Sequence, residues 1–388
     1  MRFASAETNE PLLQDAIHRL EARLRPQLGG AAPDLAVVFF SPHFSKQAAE
    51  LRDELQVALN PRLLIGCSAE GVLGTQAELE EQPAIALLAL SLPEAIITPF
   101  FLSPEDGWAL LDSAEALRQA VQAPQGTRLF ILLGDPFSAP VEDVLRAFER
   151  AYPGIPVVGG MASAADEPGG NRLILNEQVE SAGLVGLALA GDFEIDLVVS
   201  QGCRPIGVPH TVTAAQRNVI QRLDGEPSLF MIHHLLDELN EEEQEQLNSG
   251  LFIGKVANPQ PERLGRGDFL VRAVIGVDRQ SGAIAVGDFI QPGERVQFHL
   301  RDALTAKEDL EMMLIPQTFR GKPQGGLLFT CNGRGRRLYD HPDGDISVIK
   351  RSLGEFPLAG FFCAGEIGPV SGKNYLHGHT AILVTFRE

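Results

Sequence analysis

Three times along this chain an apolar run, a helix-patterned stretch, a second apolar run and a glycine-rich bend follow one another, and any fold must accommodate that repetition. The first pass has LAVVFF at 35–40, ending in Ser41 and Pro42 as a buried strand meeting a loop does. Residues 46–59 then place Ala49, Leu51, Leu55, Val57 and Ala58 at roughly helical spacing, and Asn60-Pro61 stops them. A strand at 63–65 runs into Gly66-Cys67-Ser68-Ala69-Glu70-Gly71, and AIALLALSL follows at 84–92. The second pass has LFILL at 129–133, a helix at 141–152, a strand at 155–158, the bend Gly159-Gly160-Met161-Ala162-Ser163 and a strand at 183–190; Gly159 lies 93 residues after Gly66. The third runs through 327–330, 345–353 and 357–359 to a bend at 360–368 and a strand at 380–386.

Strands alternating with helices predict an α/β fold with mixed sheets. Between the second and third passes the pattern changes. Residues 271–278 and 283–287 flank Gln280-Ser281-Gly282 as a hairpin would, and 295–300 is a further strand, so this insert reads as antiparallel. Before it, 228–246 reads as a helix whose Asp237, Glu238, Glu241, Glu242, Glu243 and Glu245 form a solvated acidic face. The expected architecture is three related strand-helix-strand units plus an antiparallel insert, arranged as two interlocked domains. An N-terminal helical segment occupies 1–32. One domain with two units spans 33–227, and a second, holding the acidic helix, the insert and the third unit, spans 228–388.

Charge narrows the partners. With 32 Lys plus Arg against 51 Asp plus Glu, the net charge of −19 repels phosphate backbones and anionic lipid, so neither nucleic acid nor a membrane surface is expected to bind. Residues 83–102 have the length of a membrane span, but Pro93, Glu94 and Pro99 break them into two strands around a turn. Residues 1–10 lack the apolar core of an export signal. Cys67, Cys203, Cys331 and Cys363 are far apart and form no CxxC pair, which argues against a zinc site or a disulfide framework and for the cytoplasm.

The chemistry concentrates in the glycine-rich bends, where backbone N–H groups can approach a ligand closely. Residues 66–71 resemble the G-x-S-x-G elbow, but Glu70 stands where its last glycine belongs, so a structural turn or a ligand contact is favoured over a nucleophile. Cys363-Ala364-Gly365-Glu366 shares a Cys-x-x-Glu spacing with Cys67 and Glu70, and a glutamate in such a turn can accept from a ligand's ammonium or hydroxyl. Cys331-Asn332-Gly333-Arg334-Gly335-Arg336-Arg337 is the dense basic cluster of this acidic chain, offering a guanidinium fork to a carboxylate or phosphate, or simply balancing local acids. It is neither a P-loop nor a dinucleotide fingerprint, and no cofactor is expected. His377-Gly378-His379 has no third ligand at metal spacing, so no metal is expected; His377 and Thr380 read as hydrogen-bonding residues.

Together GCSAEGVLG at 66–74, CNGRGRRLY at 331–339, AGFFCAGEIGP at 359–369 and LHGHT at 376–380 resemble the FIST family, over nearly the whole chain from about residue 33. The resemblance implies an intracellular sensory or signal-transduction module that binds small ligands such as amino acids, with relatives joined to signalling output domains or F-box segments. No such output segment fits the remaining residues, so a stand-alone sensor acting through a protein partner is expected. The expected ligand site comprises Gly66, Cys67, Ser68, Glu70, Gly71, Gly160, Ser163, Cys331, Gly333, Arg334, Cys363, Gly365, Glu366, His377 and Thr380 around one polar cavity. In it Arg334 pairs with a carboxylate, Glu366 or Glu70 accepts from an ammonium, and no residue is catalytic. The alternatives are a thiol-dependent hydrolase or transferase using Cys331 or Cys363 with His377 as base, and a ligand-free interaction adaptor.

Overall fold

Runs such as LAVVFF, apolar at every position, need cover on both faces, and each becomes an inner strand of a sheet with helices on one side and other sheets on the other. The computed structural model describes residues 1–247, 250–257 and 264–388. One unit comprises Met1–Val199, Leu310–Leu376 and Thr380–Glu388; a second comprises Ser200–Asp309 and His377–His379.

In the first unit the repeat is longer than its sequence signature. The first copy runs β1 (Arg2–Thr8), α1 (Leu13–Leu28), β2 (Leu35–Phe40), α2 (Ala48–Leu59), β3 (Leu64–Ser68), the short strands β4 (Gly71–Leu73) and β5 (Glu78–Glu80), and β6 (Ile85–Ser91). The segment expected to be helical at 1–32 thus holds a strand as well. The second copy repeats that order as β7 (Ile96–Leu102), α3 (Ala114–Val121), β8 (Thr127–Gly134), α4 (Val141–Ala151), β9 (Val157–Met161), β10 (Leu173–Leu175), β11 (Gln178–Glu180) and β12 (Leu184–Ala190). The third copy opens with β13 (Glu194–Gln201) and is interrupted by the insert.

The insert forms the second unit. Its strands are β14 (Cys203–Gln216), β15 (Val219–Leu223), β16 (Glu226–Pro227), β17 (Phe252–Val256), β18 (Phe269–Asp278), β19 (Ala283–Val286) and β20 (Arg295–Arg301), with helices α5 (Ser228–Glu238) and α6 (Glu241–Gln246) in place of the single expected acidic helix. Neighbouring strands run in the order β14-β20-β17-β18-β19-β15, and β15 pairs back onto β14, so the antiparallel sheet closes into a barrel. Ile206, Val212, Ile220, Ile284, Val296, Phe298 and Leu300 form its core. Among the described residues closure leaves no open edge except beside short β16.

The third copy then resumes with α7 (Ala303–Thr318), β21 (Gly325–Cys331), α8 (Arg336–Tyr339), α9 (Gly344–Leu353), β22 (Leu358–Cys363), β23 (Glu366–Val370), β24 (Lys373–His377) and β25 (Thr380–Arg387). Each copy contributes one parallel pair, β2–β3, β8–β9 and β21–β22, flanked by an antiparallel neighbour, β6, β12 or β25. The register is the same in all three: Val38 faces Gly66, Leu132 faces Gly159 and Leu328 faces Gly360. A Cβ on any of those glycines would strike the carbonyl oxygen of the residue opposite, which explains why glycine opens every bend.

The two short strands after each bend leave their own copy. β4 and β5 complete the sheet of the third copy, β10 and β11 that of the first, and β23 and β24 that of the second, giving three six-stranded sheets linked in a cycle. Their inner faces share one core, in which Phe39 stacks on Phe361 at 4.7 Å between ring centroids and Phe329 meets Phe361 edge-on. Outer faces are covered by helix pairs, as where Leu13, Ala16, Ile17, Leu20, Leu24 and Leu28 form the buried stripe of α1 over β1 and β2.

Candidate functional site

The exchange of short strands draws the three glycine-rich bends together. Ser163 ties them: its Oγ accepts the Glu70 N–H at 2.9 Å and donates to the Phe362 carbonyl, while its N–H donates to Ser68 O at 3.3 Å. Ser68 Oγ accepts the Arg172 N–H at 2.8 Å. Met161 N–H donates to Gly365 O and Ala364 N–H to Met161 O, each at 2.9 Å, and Gly160 pairs with Glu366 between β9 and β23. Asn332 N–H donates to Cys363 O at 2.9 Å, and Gly333 N–H to Cys331 Sγ at 3.3 Å. Cys67 lies in the shared core, Gly66 precedes it in β3, and Gly71 begins β4. Fourteen of the fifteen expected residues belong to the first unit; His377, buried, belongs to the second, where His379 lies 4.4 Å from the Phe252 ring centroid.

Arg334 is fully buried, and its role differs from the expected one. Its Nε and Nη2 donate to Asp345 Oδ2 and Oδ1 at 2.9 and 2.6 Å, and Nη2 also donates to Tyr339 Oη at 2.7 Å. Thr330 Oγ1 and Tyr339 Oη each donate to Asp345 at 2.7 Å. The fork that sequence reasoning assigned to a ligand carboxylate is therefore filled by Asp345, because a guanidinium removed from water must bring its counter-ion inside. Burial alone would lift the Asp345 carboxyl, but Arg334 overrides it and holds the carboxyl below its usual range. Glu78, from β5, accepts the Asp345 and Ile346 N–H groups at the start of α9, and burial next to Asp345 pushes its carboxyl up to about 8.

Of the two exposed arginines of this run, Arg336 and Arg337, it is Arg337 that reaches Glu70. It grips Glu70 through both terminal nitrogens, and Asn332 Nδ2 donates to the same carboxylate at 3.2 Å. Glu70 and Arg337 are both partly exposed, so this ion pair forms the solvent edge of the cluster. Sequence reasoning saw the basic run but not which arginine turns inward; Asn332, Arg337, Tyr339 and Asp345 were all missed as interacting residues.

Glu366 is as deeply buried as Arg334. Its Oε2 accepts the Thr380 hydroxyl at 2.6 Å and the Thr380 N–H at 3.1 Å, while Oε1 has no hydrogen-bond partner among the described residues. Burial raises its carboxyl to about 8 against the opposing pull of Thr380, Arg334 and Cys331. Burial also pushes the Cys67 and Cys363 thiols up, with the charges of Glu366, Cys67 and Cys331 adding to the effect on Cys363, which works against a Cys363 thiolate nucleophile. The expected Cys-x-x-Glu correspondence does not hold in space, since the register equates Cys363 with Ala69 and Glu366 with Val72.

These side chains fill their own meeting place rather than ringing an open cavity. Roomier hollows lie elsewhere, one of about 890 Å³ beside Arg52, Arg62 and Asn176 and one of about 650 Å³ on the barrel beside Arg222 and Asp278. Among the described residues no cluster of His, Cys, Asp and Glu could hold a metal ion, and no helix is long and apolar enough to cross a membrane.

Sequence models of the FIST N domain and the FIST C domain match residues 34–226 and 231–369. An uncharacterized protein of Mycobacterium tuberculosis is 39% identical over 388 residues, the whole of both chains. An uncharacterized protein of Mycobacterium bovis is 36% identical over 389 residues, covering 100% of this chain and 99% of its own. An F-box/LRR-repeat protein of Arabidopsis thaliana is 26% identical over 293 residues, 62% of this chain and 54% of that protein. With both of its parts matched and relatives aligned from end to end, this chain belongs to the FIST family, whose domains are generally sensory modules of signal-transduction proteins.

Proposed function

We propose that the protein is a cytoplasmic sensor of a small zwitterionic or anionic metabolite such as an amino acid, with output through a protein partner. The observation that carries this reading is the Glu70–Arg337 pair with Asn332 at the solvent edge of the converging bends. Opposite charges in one half-exposed contact can each exchange partners, Arg337 for a ligand carboxylate and Glu70 for a ligand ammonium, at little net cost because an exposed pair contributes little by itself. Arg334 and Asp345 fix the loop that presents Arg337, and Ser163 holds the bend that presents Glu70.

The test is thermal stability of the whole chain against amino acids and small carboxylates. A ligand at about 100 times its Kd should stabilise the fold by about 2.7 kcal/mol. The gain should shrink sharply in Arg337→Ala and in Glu70→Gln. If no compound stabilises the chain, or if both variants respond as the wild type does, this reading is wrong.

A further inference from the structure

The first and third copies can be compared helix against helix. Val38 and Leu328 hold the same place in the register, 290 residues apart, and the same separation relates Leu20, Glu21, Leu24 and Pro26 of α1 to Leu310, Glu311, Leu314 and Pro316 of α7. The inner sides agree, because Leu20, Leu24, Leu310 and Leu314 are all fully buried. The outer sides differ. Where α1 presents Ala22, Arg23 and Arg25 to solvent and Gly29 follows its end, α7 presents Met312, Met313 and Ile315, and Phe319 follows it. These four apolar residues are 52%, 44%, 53% and 84% exposed. On α3 the exposed positions are Glu115, Arg118, Gln119 and Ala120. A helix apolar on both sides belongs between two layers, and among the described residues only the inner side of α7 has one.

Met312, Ile315 and Phe319 recur at spacings of three and four and so share one stripe. An antiparallel second α7, related by a twofold axis at Ile315 and Pro316, sets Met312 of each copy against Phe319 of the other, a thioether on an aromatic ring. The four side chains expose about 450 Å² per copy, and with Pro316 and Thr318 at the margin a twofold contact passes about 1,000 Å², the size expected of a specific interface. Charge favours the same partner. A chain of net charge −19 repels its own copies unless they meet where charge is balanced. Beside this stripe it is balanced: Glu311 pairs with Arg351, Glu194 with Arg320, and Asp196 with Arg320 and Arg387. A basic partner would be drawn to other faces of so acidic a chain. We propose that the outer face of α7 from Met312 to Phe319 is a dimer interface that joins two copies of this chain.

The test is the mass of the whole chain in solution, by sedimentation equilibrium. An interface of this size is expected to give a Kd of the order of 10 µM, so dimer should build up between about 1 and about 200 µM. The double substitution Met313→Arg with Ile315→Arg installs the residues that α1 carries as Arg23 and Arg25. It should raise the Kd at least about thirtyfold, because each copy would have to bury two guanidinium groups against apolar side chains. Thermal unfolding of dilute protein should stay where it is, since both positions face solvent in the single chain. Peroxide should oxidise Met312 and Met313 more slowly in concentrated than in dilute protein. A chain that stays monomeric to about 200 µM overturns the proposal. So does a dimer that survives the double substitution, or one in which both methionines oxidise at the same rate at every concentration. Phe319→Asp, at the most exposed of the four positions, gives the same reading if the double variant fails to fold.

Discussion

Six residues beyond Val38, where the first repeat closes over Gly66, the side chain of Phe44 is fully buried; six beyond Leu328, where the third closes over Gly360, it is Arg334. The first repeat fills this depth with a ring that needs only close neighbours. The third needs Asp345, Tyr339, Thr330 and, through the start of α9, Glu78. A second difference runs parallel to it, Val72 in one copy against Glu366 in the other. The contrast teaches that the frame tolerates a buried charge where partners come with it: Asp345 and Tyr339 surround Arg334, whereas Thr380 reaches one oxygen of Glu366.

The largest effect should come from breaking the arginine's side of that comparison. Arg334→Met leaves Asp345 buried without its counter-ion and should cost about 3–5 kcal/mol in denaturant unfolding, with most of the loss recovered when Asp345→Leu is added. Phe44→Leu in the first repeat should cost about 1 kcal/mol. A loss below that for Arg334→Met would mean the network is not what holds the loop.

Smaller within any one pH unit is a dependence on pH. Glu78 and Glu366 titrate near 8 when folded and near 4.5 when unfolded, so between those values the native chain holds protons that the unfolded chain has lost. Stability should therefore fall as pH rises from about 5 to about 8, by up to about 1.4 kcal/mol per pH unit for each group, and level off above. Glu366→Leu should remove one group's share; an unaltered slope would show that this carboxyl titrates as an ordinary one.

Ser163→Ala should cost about 1–2 kcal/mol by leaving the Glu70 N–H without its acceptor, and hydrogen exchange at that amide should quicken. The smallest effect sharpens the contrast within a single loop. Arg337→Ala, three residues from Arg334, should change stability by less than about 1 kcal/mol, and by less still at high salt.

The repeated strand-helix-strand frame was legible because its signals are local: apolar runs such as LAVVFF and LFILL, each followed by a helix and a glycine bend. The exchanged strands were not. Gly71–Leu73 and Leu173–Leu175 are three residues long, too short to show a period, and their partners lie in other copies. Strand β13 was lost to the insert that follows it, so the third repeat was read as starting at β21. Gathering of the bends was legible from their glycines, whereas the division of labour between Arg334 and Arg337 was not: it depends on Asp345, eleven residues away, and on Glu70, 267 away. Matching Cys67 to Cys363 by spacing misled, because the register that sets true equivalence is a property of paired strands.

The cyclic exchange of strands sets an order on synthesis. The middle sheet begins with residues emerging at 96–102 and is complete only when 366–377 have left the ribosome, and the third sheet takes its edge from a segment made near the start. At about 5–20 residues per second that interval lasts tens of seconds, during which the half-made middle sheet has an unpaired flank. No copy can be excised and expressed alone with its sheet whole, and a chain stopped short of residue 366 would carry its defect in the part already made.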